Sequence, residues 1–144
     1  NKVAVFLRNK CSLSPVLRES NNIEQLARDF SLVTFEHGDC IMNAGEPGLS
    51  FYLMFEGSAN VFFKKEDGTG LQVSTLKEGE SFGEISLLTG NPVSATIISE
   101  GTSQLLVMNR DQFENMVCQY SQLNHYFHTQ YSKYLADIQS VLLA

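Results

Sequence analysis

Between residues 31 and 109 the chain is cut into short β-like runs by glycine-bearing turns, and this rhythm restricts its fold more than any other feature. Ser31–Glu36 ends at His37-Gly38-Asp39, Cys40–Asn43 at Gly45-Glu46-Pro47-Gly48, and Phe51–Phe55 at Glu56-Gly57. Ala59–Lys65 runs into Asp67-Gly68, a strong hairpin signal, with Leu71–Leu76 as the returning strand. Ala95–Ser99 and Gln104–Met108 form a further pair across Glu100-Gly101-Thr102. Turn residues at this spacing, with few helices between them, predict seven or eight strands in a mainly β fold with flanking helices, an antiparallel β jelly-roll barrel.

Both ends of the chain carry a helical period instead. Over residues 1–30, Leu7, Leu13, Val16 and Leu17 are apolar landmarks, and Ser14-Pro15 suits a helix start. Ile23, Leu26, Ala27 and Phe30 share one helix face, with Asn22 placed to cap it. Residues 110–144 follow a second cap, Asn109, and Asp111 lies in the first turn, where the helix dipole favours an acid. Further on, Asn124, Phe127, Tyr131, Tyr134, Ile138 and Val141 step by 3 and 4 in turn, a heptad seam of nearly three repeats. Such a seam packs either on a second chain, as a homodimer contact, or back on its own barrel. The expected organisation is therefore an N-terminal helical segment at 1–30, a β domain at 31–109 and C-terminal helices at 110–144.

Composition removes several classes of function. The 144 residues carry a net charge of −6, with no cationic stripe to displace counterions from a nucleic acid. No apolar run approaches the roughly 18 residues of a membrane span, and Val3–Leu7 is too short for the core of a secretory leader. The chain opens on Asn1 instead of Met, so a segment of something longer is expected. Cys11, Cys40 and Cys118 are odd in number and have no zinc spacing; they read as small buried thiols in a reducing, cytoplasmic compartment. His125 and His128 lie three apart without a third ligand and read as solvated helix-face residues, and His37 has no evident partner. No nucleophile elbow, phosphate loop ending in Lys-Ser/Thr, or HExxH occurs, so no enzyme is expected.

The chemistry sits in Ser81-Phe82-Gly83-Glu84-Ile85-Ser86-Leu87-Leu88 and the following Thr89-Gly90-Asn91-Pro92-Val93-Ser94-Ala95-Thr96-Ile97. Gly83 permits close backbone approach, and Glu84–Leu88 is long enough for a turn or two of helix whose first amides have no internal partner. Ser94 and Ala95 are small and keep space open. This stretch resembles the phosphate-binding cassette of the cyclic nucleotide-binding domain family, of the catabolite activator protein and protein kinase A regulatory subunit type. The upstream rhythm, Gly38-Asp39, Gly45, Phe51-Tyr52-Leu53 and Gly57-Ser58, agrees with it. So does the downstream Leu105-Leu106-Val107-Met108 with Arg110-Asp111 and Phe113. The resemblance spans roughly residues 13–140, and it implies that the C-terminal helices at 110–144 act as a lid over the ligand as well as a possible dimer helix.

The resemblance implies a ligand-binding set of Phe82, Gly83, Glu84, Ile85, Ser86, Val93, Ser94 and Ala95. Glu84 would accept from a ribose hydroxyl, the amides around Gly83, Ile85 and Ser86 would cradle a cyclic phosphate, and Ser94 would supply a hydroxyl. One position departs from the family pattern: Val93 stands where the family places the arginine that pairs with the phosphate. No Lys or Arg occurs between Lys77 and Arg110, while Glu78, Glu80, Glu84 and Glu100 do. Lys64, Lys65 and Lys77 are the cations that neighbouring strands could bring. The resulting expectation is a regulatory sensor with a degenerate cassette, in which cyclic AMP or cyclic GMP binds weakly or the ligand is altered. The alternative is a non-nucleotide-binding interaction or dimerisation module with the same fold. Its partners would be a small-molecule effector and an output domain outside this chain, with neither nucleic acid nor membrane contacted directly.

Overall fold

A computed structural model describes residues 1–143, with side chains at all of these except residues 138 and 140–143. Three short helices come first, α1 (Lys2–Asn9), α2 (Ser14–Leu17) and α3 (Ile23–Arg28). Six strands follow: β1 (Ser31–Phe35), β2 (Cys40–Met42), β3 (Ser50–Lys64), β4 (Gly70–Leu76), β5 (Ser81–Phe82) and β6 (Thr96–Asn109). Helix α4 (Glu84–Thr89) sits between the last two strands, and α5 (Arg110–Gln119) and α6 (Ser121–Leu143) close the chain. All the pairings are antiparallel, in the order β1-β6-β3-β4, with β2 also on β6 and β5 also on β3. The sheet is of jelly-roll type with flanking helices, and its ladder does not close into a ring.

Six strands replace the expected seven or eight because two predicted turns are bulges. β3 runs through Glu56-Gly57 and β6 through Gly101 without reversing. Ser58 faces Glu100 and Glu56 faces Gln104, so the extra residues of β6 bow out and the register slips on both sides of Glu56. Gly57 takes φ +99, and a methyl group there would fall 2.8 Å from the Ser103 Cβ. A left-handed residue with a β-carbon has no room at this point.

The long strands are buried on both faces, so adjacent residues feed different cores. Phe51, Leu53, Leu106 and Met108 pack under the helices, with Leu7, Leu17, Ile23, Phe113, Leu123 and Phe127. Met54, Ala59, Val61, Ile97 and Leu105 fill the sheet interior, with Phe82 and Ala95. Phe51, Phe113 and Phe127 form a triangle with ring centroids 5.2–5.5 Å apart. Truncating one such ring to Ala typically costs about 3–5 kcal/mol. Phe127 is a seam position, so this part of the seam faces the chain's own core. Ile138 and Val141, its last two positions, lie outside the described side chains.

Three local expectations are corrected. Cys40 and Cys118 are exposed, because they sit on strand and helix faces turned away from the two cores, and Cys11, between α1 and α2, is half-buried against the helical core. Asn22 precedes α3 without a side-chain cap; its backbone amide donates to Ser20 Oγ instead. His37 does have a partner, since its Nδ1 accepts from the Gly101 amide at 2.8 Å and so ties the loop after β1 to the bulge of β6, 64 residues on. Asn109, by contrast, caps α5 as expected, and the structure adds Gln112, which completes a capping box with it.

Candidate functional site

The segment from β5 to β6 is braced from within and from behind. Gly83, at φ +92, turns the chain off β5 into α4; a methyl group there would lie 2.6 Å from the Ser50 carbonyl oxygen. Ser86 Oγ donates to the Asn91 carbonyl and the Asn91 amide to Thr89 Oγ1, which fixes the turn after α4. Val93 is held by its backbone: its amide donates to the Glu46 carbonyl at 2.9 Å and its carbonyl accepts from Gly45 at 2.8 Å. That bridge turns the isopropyl group inward, and Val93 is buried.

The eight residues singled out from the sequence converge on one cavity of about 380 Å³. Phe82 and Gly83 come from the end of β5, Glu84, Ile85 and Ser86 from α4, and Val93, Ser94 and Ala95 from the segment entering β6. Phe82 is itself stacked on Tyr52, at 4.8 Å between centroids and 8° between planes. The opposite wall is made by Gln130, Tyr131, Tyr134 and Leu135 of α6, none of which the sequence singled out as a site residue although the resemblance implied a helical lid. The heptad seam carried Tyr131 and Tyr134 but gave no sign of what they face. Tyr134 reaches across so that its hydroxyl hydrogen-bonds Ser94 Oγ, and its ring lies 6.1 Å from that of Phe63. A larger cleft of about 810 Å³ lies between α1 and the bend of β3, lined by Lys2, Lys10, Glu56 and Glu78 among others, and it holds no cassette residue.

The cavity's electrostatics follow from what lines it. Among the described residues around it there is no Lys, Arg or His; Lys64, Lys65 and Lys77 do not reach it. Arg110, the next cation along the sequence, donates to the carbonyl oxygens of Gly48 and Leu87. Among the described residues Glu84 is the one carboxylic acid in the wall. It is 7% exposed, and its Oε2 has no hydrogen-bond partner. Burial pushes its carboxyl up to about 7, against a weaker opposing pull from its own backbone amide. The wall is thus apolar and aromatic, with one carboxyl poised between its two protonation states near neutral pH. Among the described residues no cluster of three His, Cys, Asp or Glu side chains gathers to hold a metal.

The family model of the cyclic nucleotide-binding domain matches residues 32–120, well over half of the chain. The chain belongs to the cyclic nucleotide-binding domain family. Among curated relatives of this domain, the cAMP-dependent protein kinase regulatory subunit of Dictyostelium discoideum is 35% identical over 108 residues, covering 72% of this chain and 33% of that protein. The subunit of the same description from Yarrowia lipolytica is 32% identical over 105 residues, covering 72% of this chain and 27% of that protein. The chain therefore spans about a third or less of the curated relatives it matches. Among solved structures, the regulatory subunit of a cAMP-independent protein kinase A from Trypanosoma brucei superposes with a TM-score of 0.75 at 28% identity, over 93% of this chain and 49% of that one. These relatives are regulatory subunits of a kinase, and this chain shares with them the cyclic nucleotide-binding domain.

Proposed function

We propose that this domain is a ligand-sensing regulatory module in which affinity for cyclic AMP and cyclic GMP is strongly reduced and the effector is an uncharged, hydroxyl-bearing ring compound of nucleoside size. One observation carries this reading: among the described residues, Val93 and its neighbours bring no cation to the cavity wall. A buried guanidinium–phosphate pair is charge-assisted and commonly bidentate. Losing one partner of such a pair costs about 2–5 kcal/mol, or roughly 30- to several-thousand-fold in affinity. Glu84 adds to this, since a phosphate beside a partly ionised carboxylate is repelled. A nucleoside keeps the ring and the ribose hydroxyls of a cyclic nucleotide and sheds the charge. Its hydroxyls match the unpartnered Glu84 Oε2, with Phe82, Gly83, Ile85, Ser86, Val93, Ser94 and Ala95 as the remaining contacts. The T. brucei relative is described as belonging to a cAMP-independent kinase, which agrees in direction.

In this reading residues 1–30 and 110–144 relay the state of the 31–109 domain to a cytoplasmic output partner, a kinase catalytic subunit by analogy with the curated relatives. The decisive measurement is a set of thermal melts with millimolar cyclic AMP, cyclic GMP, adenosine and guanosine, because a ligand of the folded state raises the midpoint. A rise with a nucleoside that exceeds the rise with either cyclic nucleotide is expected; the reverse order overturns the proposal. Silence from all four supports the second reading, a non-nucleotide interaction module that pairs two copies through 124–141. Leu135, exposed on that helix, favours such a contact. A fall in solution mass on Tyr131→Glu checks it.

A further inference from the structure

We propose that Tyr134 is a built-in latch: its hydroxyl engages Ser94 and so fastens α6 over the cassette through protein contacts alone. A ligand group that reaches Ser94 must displace this phenol. The two residues lie 40 apart in sequence, on the lid helix and on the cassette, and the hydrogen bond joins the two walls of the cavity. Of the two hydroxyls in the eight-residue set, Ser86 Oγ is committed within its own segment, to the Asn91 carbonyl, whereas Ser94 bonds across the cavity to α6. The family resemblance assigns Ser94 to the phosphate, so the latch places a neutral phenol on the wall where relatives would hold an anion. Burial raises the Tyr134 phenol above its ordinary pKa, which keeps it protonated and able to donate.

The chain breaks helix at Tyr120 (φ −116, ψ 85), which separates α6 from α5. Ahead of the latch, Leu123 and Phe127 anchor the start of α6 in the helical core. Beyond them, α6 meets the cavity through Gln130, Tyr131, Tyr134 and Leu135, and Tyr134 makes the described hydrogen bond between α6 and the cassette. Release of the latch therefore frees the distal part of the helix and leaves its root packed.

Amide hydrogen exchange over residues 128–137, with no ligand added, tests the latch without reference to any effector. Its failure is therefore separate from failure of the functional reading. Tyr134→Phe keeps the ring contact with Phe63 and removes the hydroxyl; Ser94→Ala removes the other partner. Each is expected to speed exchange there by about three- to tenfold, the range for one lost hydrogen bond. The double variant should match the single ones, because both break the same bond. Tyr131→Phe, whose hydroxyl the latch does not use, serves as the control and should leave exchange unchanged. Unaltered exchange in both single variants, additive effects in the double, or an equal effect from Tyr131→Phe overturns the proposal.

Discussion

The guanidinium of Arg110 donates to the carbonyl oxygen of Gly48 at 3.1 Å, and its second terminal nitrogen reaches the carbonyl of Leu87 at 3.5 Å. One side chain at the start of α5 thus ties the 45–49 turn to α4. The longer contact is at the limit of a hydrogen bond, so the pair counts as little more than one charged bond. Arg110→Ala is expected to lower stability by about 2 kcal/mol, read from the urea midpoint. Arg110→Lys should recover part of the loss, since an ammonium serves one carbonyl well but lacks the planar fork to span two.

Gly48 lies against Ser86 so closely that a β-carbon at residue 48 would fall 2.1 Å from the Ser86 Oγ and 2.3 Å from its Cβ. Gly48→Ala must therefore push α4 away from the turn, at a cost of about 1–3 kcal/mol. Ser86→Gly in the same chain removes both clashing atoms. The double variant should unfold at a higher urea concentration than Gly48→Ala alone.

Restoring the family cation is the direct test of the cavity's chemistry. Val93→Arg places a guanidinium where Val93 is now 6% exposed, near an unpartnered carboxyl. Calorimetric titration should show cyclic AMP affinity rising at least thirtyfold over the parent chain. The thermal midpoint without ligand should fall or stay level, because the new charge is buried and only partly compensated.

Glu84 makes stability depend on pH in the direction opposite to an ion-paired acid. Its carboxyl is raised from an ordinary 4.5 to about 7. Between those values the folded chain holds a proton that the unfolded chain has released. Stability is therefore greatest below about pH 4.5 as far as this group is concerned, and falls as pH rises through 7, by about 3 kcal/mol in total. Glu84→Gln is expected to remove most of the difference between urea midpoints at pH 5 and pH 8. A difference unchanged by that substitution places the pH dependence elsewhere.

What the sequence disclosed depended on range. The cassette was legible because its residues lie within 16 positions of each other and carry a compact motif, and Asn109 was legible because a cap acts within three residues. Gly57 and Gly101 misled for a physical reason. A glycine at positive φ serves a turn and a bulge equally well, and only the partner strand decides which one forms. The contacts of Arg110 with residues 23 and 62 positions away, and of Tyr134 with Ser94, left no trace in any local pattern. The exposure of Cys40 and Cys118 was equally invisible, because it depends on which faces of strand and helix the two cores claim.

The direct passage from β6 into α5 bears on how this domain can move. Asn109 ends the strand and caps the helix with no residue between them, so α5 is carried rigidly by the sheet. The break between α5 and α6 falls at Tyr120, and the hydroxyl of that residue is bonded to Ser20 Oγ, between α2 and α3, at 2.6 Å. The joint at the root of the C-terminal arm is thus fastened to the N-terminal helices, so the two ends of the chain share one anchorage beneath the sheet.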